Sequence, residues 1–69
     1  MEGVILKILN DNERGKDGFL KCSNTEHYFS VSADFHLTPR IGINTKVLFQ
    51  LRPPIAGKKA SAKIIKIID

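Results

Sequence analysis

Apolar and polar positions alternate along this chain with a period of two rather than the longer period of a helix. Val4-Ile5-Leu6-Lys7-Ile8-Leu9 is a short, β-branched run that Asn10-Asp11-Asn12 ends with turn formers. Gly15 and Gly18 bracket a tight, charged connection, and a second strand is predicted over Phe19-Leu20-Lys21-Cys22. After a turn at Ser23-Asn24-Thr25, the third strand covers Glu26 to Ser32, with Tyr28, Ser30 and Ser32 on one face and His27, Phe29 and Val31 on the other. From Ala33 to Ile43 the pattern dissolves. Pro39 and Gly42 oppose regular structure there, leaving room for one helical turn near Ala33 to His36. The fourth strand, Thr45 to Arg52, sends Val47, Phe49 and Leu51 inward and Lys46, Leu48, Gln50 and Arg52 outward, until Pro53-Pro54 stops it. A basic loop around Gly57 leads to a last strand from about Ala60 to Ile68. Its Ile64-Ile65-Lys66-Ile67-Ile68 segment breaks alternation and predicts a bulge or burial on both faces.

Five short strands with the longest connection between the third and fourth suit an all-β, five-stranded antiparallel barrel of the OB type; an SH3-like barrel is the competing fold. The 69 residues make one domain with one core, and a closed sheet covers its edges economically at this size.

Charge narrows the partners. Eleven Lys and Arg against seven Asp and Glu give a formal charge of +4. From Arg40 onward seven basic residues face Asp69 alone, an asymmetry that fits an anionic partner such as nucleic acid, or simply a lysine-rich surface. Cys22 is the only cysteine, so neither a disulfide framework nor a thiolate metal site is expected, and the two histidines have no ligand spacing. No cofactor is implied. Lys7 interrupts the apolar start and no cleavage site follows, so no secretory leader is expected; no run approaches a membrane span. A cytoplasmic monomer without membrane contact is the resulting expectation. No nucleophile elbow, phosphate-binding loop or nucleophile–base arrangement occurs, and an enzyme is not expected.

The chemistry concentrates on the second and third strands. Phe19 and Lys21 share one face of the second, and Tyr28 and Ser30 one face of the third. Antiparallel pairing through the intervening turn brings Phe19 and Tyr28 together, bordered by Lys7 and Lys21. Exposed rings stack bases with little regard to sequence, at about 1–3 kcal/mol each, while lysines neutralise phosphates. Core packing is the plainer alternative for both rings. It has less room at Tyr28, since Phe29 and Val31 already supply an inward face.

These residues also carry a resemblance. Gly15-Lys16-Asp17-Gly18-Phe19-Leu20 resembles the KGFGFI motif of cold-shock domains, and Tyr28-Phe29-Ser30-Val31-Ser32-Ala33 resembles their VFVHFSA motif. Glu2-Gly3 with Lys7 and Asn10 is similar to the EGxVKWFN opening, with one extra residue. Gly42 through Phe49 resembles the fourth strand, and Lys58 to Ile64 the closing one. The resemblance covers nearly the whole chain and implies an OB-type barrel that binds single-stranded RNA or DNA through its first three strands. It assigns stacking to Phe19 and Tyr28 and a basic contact to Lys7. Ile8 and Leu9 stand where the family has Trp and Phe, Lys16 or Asp17 where it has the first aromatic of KGFGFI, Ser30 for His and Val31 for Phe. Phe35 and His36 follow the third strand where the family often exposes another aromatic; a plug at the barrel end is the alternative for Phe35. The expected nucleic-acid contacts are thus Lys7, Lys16, Phe19, Lys21, Tyr28, Ser30, Phe35, His36, Lys58 and Lys59. The substitutions predict weak, sequence-tolerant binding. They suit equally an OB or SH3-like module that docks a protein through Ile8, Leu9 and Val31, and size and basicity also fit a one-domain factor acting on the ribosome, like the small bacterial translation initiation factor.

Overall fold

The alternating runs become five strands: β1 (Glu2–Asn12), β2 (Gly15–Cys22), β3 (Thr25–Ser32), β4 (Lys46–Leu51) and β5 (Ala62–Ile67). A computed structural model describes residues 1–53 and 60–68. The strands close into a barrel in the order β1-β2-β3-β5-β4, an architecture consistent with the OB type. The sheet is mixed rather than wholly antiparallel as the strand pattern suggested. β3 and β5 meet in parallel through Phe29 and Ala62, because the chain must cross the barrel end before β5 can fill the gap beside β3.

Alternation delivers the core. Ile5 of β1, Leu20 of β2, Phe29 and Val31 of β3, Val47 and Phe49 of β4, and Ala62 and Ile64 of β5 are all buried. Ile41 enters from the connection between β3 and β4. Apart from the small Ala62, each such side chain contributes about 1.5–3 kcal/mol on leaving water. Leu51 departs from its predicted inward face and is 40% exposed, although Ala62, its partner on β5, is buried.

Two strand limits differ from the pattern. β1 continues through Asn10-Asp11-Asn12, and β2 begins at Gly15, so the segment from Gly15 to Gly18 is ladder and the turn is Glu13-Arg14. Turn-forming residue types were overridden by pairing: Asn10 lies opposite Asp17, Asp11 opposite Lys16 and Asn12 opposite Gly15. The Asn12 side chain accepts the Arg14 amide hydrogen at 2.9 Å and closes the hairpin. Gly15 follows with φ +136°, and a Cβ there would overlap the Val31 carbonyl oxygen.

β1 pairs with both β2 and β4, which requires it to bend. Register shifts at Leu6 and Leu9 supply two bulges and turn both leucines outward. The predicted irregularity in β5 is also a bulge: Leu48 pairs with Lys66 and Phe49 with Ile64, leaving Ile65 unpaired. In the long connection the single helical turn is a 3-10 turn at Thr38–Arg40, later than predicted. Pro39 fits its first positions, and the buried Thr38 hydroxyl donates to the Ser32 carbonyl at 2.6 Å.

Candidate nucleic-acid interface

β2 and β3 pair without a break from Gly15 opposite Ser32 to Cys22 opposite Thr25. An uninterrupted ladder keeps parity, so every second residue of both strands faces outward together. The resulting outer surface is built in rows. Lys7, Phe19 and Tyr28 lie side by side across β1, β2 and β3. Toward the Glu13-Arg14 turn the next row is Asn10, Asp17 and Ser30; in the other direction it is Val4, Lys21 and Glu26.

In the central row the rings of Phe19 and Tyr28 meet edge to face, centroids 5.9 Å apart and planes at 73°. This is a favoured aromatic geometry and fixes both side chains. Tyr28 is 38% exposed, while Phe19 is half-buried between its neighbours. The Lys7 ammonium sits over the Phe19 ring, 5.0 Å from its centroid. A cation at an exposed ring gains about 0.5–1 kcal/mol, less than the 1–3 kcal/mol of a stacked base. The cation therefore covers the Phe19 ring more weakly than a stacked base would.

Asp17 was not among the residues singled out by sequence, although its parity with Phe19 and Lys21 placed it on this face. The Tyr28 hydroxyl donates to Asp17 Oδ2 at 2.7 Å. That bond, aided by Asn10, holds the Asp17 carboxyl below its ordinary range. The same carboxylate and partial burial push the Tyr28 phenol up. Asp17 Oδ1 is shielded from solvent and has no hydrogen-bond partner among the described residues. Next to it a shallow cleft of about 190 Å³ is lined by Asn10, Asn12, Arg14 and Ser30 among others. A carboxylate at the border of the rings repels phosphate and orients the phenol.

Lys16 does not join the face. It shares inner parity with Gly18 and Leu20, and its ammonium donates to the Ile41 carbonyl at 2.8 Å, with Asp11 Oδ2 at 3.8 Å. Its side chain is 15% exposed and closes the barrel end, so a phosphate contact there is replaced by a structural one. Phe35 packs its half-buried ring against the core, in keeping with the plug alternative, and meets exposed His36 edge to face at 5.3 Å. Both lie beyond the end of β3 rather than in the ring row. Ser30 is exposed beside Asp17, and Lys21 lies opposite Glu26. Lys58 and Lys59 fall outside the described residues.

Ile8 and Val31, two of the apolar residues at positions where cold-shock domains carry aromatics, turn inward: Val31 is core and Ile8 packs against it. Only Leu9 remains outside, 51% exposed at its bulge. Among the described residues no group of His, Cys, Asp and Glu could hold a metal ion, and no helix is long and apolar enough to cross a membrane. No family model, curated protein or solved structure matches this chain.

Proposed function

We propose that this chain binds single-stranded nucleic acid across the outer face of β1, β2 and β3. The row Lys7, Phe19 and Tyr28 carries the reading, because it sets two contacting rings beside a cation on an outward surface. Bases stack on Tyr28 and, once Lys7 has moved aside, on Phe19; Lys7 and Lys21 meet phosphates. With two rings and a carboxylate at their border, binding is weak, sequence-tolerant and sensitive to salt. The resemblance to cold-shock domains supports the same assignment at Phe19, Tyr28 and Lys7.

Tyr28 is the only tyrosine and the chain has no tryptophan, so its fluorescence reports the site directly. Titration with oligo-dT or oligo-U at low salt should quench it, with the midpoint moving to higher oligonucleotide as salt is added. An unchanged signal at high micromolar oligonucleotide removes the proposal.

Protein docking is the second reading, favoured by exposed Leu6 and Leu9 beside the rings. The inward turn of Ile8 and Val31 shrinks that apolar surface. A pull-down that survives nuclease and high salt would raise it above the first.

A further inference from the structure

One OB-type domain tracks about 4–16 nucleotides, whereas two rings hold only two bases, so a bound strand must leave the ring row in some direction. Toward the Glu13-Arg14 turn it meets Asp17 as well as Arg14, and Lys16 there is engaged by the Ile41 carbonyl. The other direction differs. Val4 pairs with Lys21 on one side and Lys46 on the other, so two lysines flank it at about 10 Å across three strands. Between them lies a concavity of about 380 Å³, floored by Gly3, Val4 and the bulged Leu6 and bordered by Glu2. That volume falls in the ordinary range of ligand sites, about 300–1,000 Å³. Among the described residues neither Lys21 nor Lys46 has a carboxylate within ion-pair distance, although Glu26 lies opposite Lys21 in the ladder.

We infer that this concavity between β2, β1 and β4 is a second nucleotide subsite, continuous with the ring row through Lys21. Lys21 and Lys46 hold successive phosphates of the same single strand, and Val4 and Leu6 support the sugar or base between them. The bulge at Leu6 acquires a role here, since it turns an apolar side chain outward at the floor of a cationic groove. The inference rests on the proposed nucleic-acid function, and the two can fail separately.

The experiment compares Lys46→Ala with Lys63→Ala, which removes an equal charge from an exposed position of β5, using a thymidine dinucleotide and a thymidine octanucleotide. Lys46→Ala should weaken the octanucleotide several-fold and leave the dinucleotide unchanged. It should also reduce the slope of log affinity against log salt by about 0.7, the loss of one single-strand phosphate contact. Lys63→Ala should do neither. The subsite is overturned if Lys46→Ala leaves the octanucleotide at the wild-type affinity while Phe19→Ala weakens both ligands, or if the two lysine variants act alike. If the unmodified protein binds neither oligonucleotide, the subsite falls together with the proposed function.

Discussion

β3 meets its two neighbours in opposite ways. Against β2 it forms an unbroken eight-residue ladder, Gly15 opposite Ser32 through Cys22 opposite Thr25, and against β5 a single parallel pair, Phe29 opposite Ala62. The first contact is held by backbone hydrogen bonds and keeps a regular outer surface. The second has little ladder and is held by the core, in which Phe29 and Ala62 are both buried. Adjacent residues of one strand thus serve two ends: Phe29, 0% exposed, closes the barrel, and Tyr28 stands on the sheet outside it. The contrast teaches that the ring face can change chemically without loss of the fold, while the closure cannot.

The largest effect should come from Phe29→Ala. Removing a fully buried ring costs about 3–5 kcal/mol. A domain of this size sits at the low end of the usual 5–15 kcal/mol of stability, so most of it is lost. Denaturant titration followed by far-ultraviolet circular dichroism should show the transition shifted close to zero denaturant. A wild-type midpoint would mean that the β3–β5 closure is not held by the core.

Gly18→Ala tests the regular side of the comparison. A Cβ at Gly18 would overlap the Lys7 carbonyl oxygen, a backbone atom that cannot rotate away. Prying β1 from β2 should destabilise the protein by about 1–3 kcal/mol, the usual cost of overpacking, and displace Lys7 from the ring row. Amide exchange should rise first at Lys7 and Ile8. Unchanged protection there would show that the two strands separate at little cost.

Tyr28→Ala and Phe19→Ala should leave unfolding nearly as it is and weaken oligonucleotide binding by about 1–3 kcal/mol each. Because the rings touch, the double variant should fall short of the sum. Strict additivity would mean that the two act as separate contacts.

The smallest effect is at Asp17→Asn. In the native protein the Tyr28 phenol ionises above its ordinary 10.0. A group with a raised folded pKa stabilises fully below the unfolded value and loses that contribution as pH rises through the folded one. Asp17, with its pKa lowered from 3.8, contributes above that value and loses its contribution as pH falls through the lowered one. The bond is therefore whole between these limits. Phenolate absorbance should titrate above 10.0 in the native protein and move back toward it in Asp17→Asn. The variant should also bind oligonucleotide slightly tighter at low salt. An unmoved phenol midpoint would place the cause elsewhere than Asp17.

Local alternation determined most of what positions the candidate site. It separated Tyr28 from Phe29 and Phe19 from Leu20, predicted five strands, and located the irregularity that became the β5 bulge. It failed where a residue type spoke louder than its parity. The glycines and charges from Gly15 to Gly18 suggested a turn, which concealed that Lys16 continues the inner parity of Leu20 and that Asp17 continues the outer parity of Phe19. Glycine in a strand signals close backbone approach as readily as a turn, and at Gly18 it signals the approach of Lys7.

The sequence by itself determined the inward and outward parity of most strand positions, because side chains along a strand must alternate and the buried set must be apolar, and its short β2–β3 turn already paired Phe19 with Tyr28. Only the tertiary structure decided which other outward residues are neighbours. That depends on register and on the bulges at Leu6 and Leu9, which no single strand encodes. Register set Lys7 over Phe19, gave the Tyr28 hydroxyl to Asp17, and put Lys46 on the far side of Val4 from Lys21. The parallel seam between β3 and β5 was likewise out of reach of pattern, since it arises from closing the sheet and not from either strand alone.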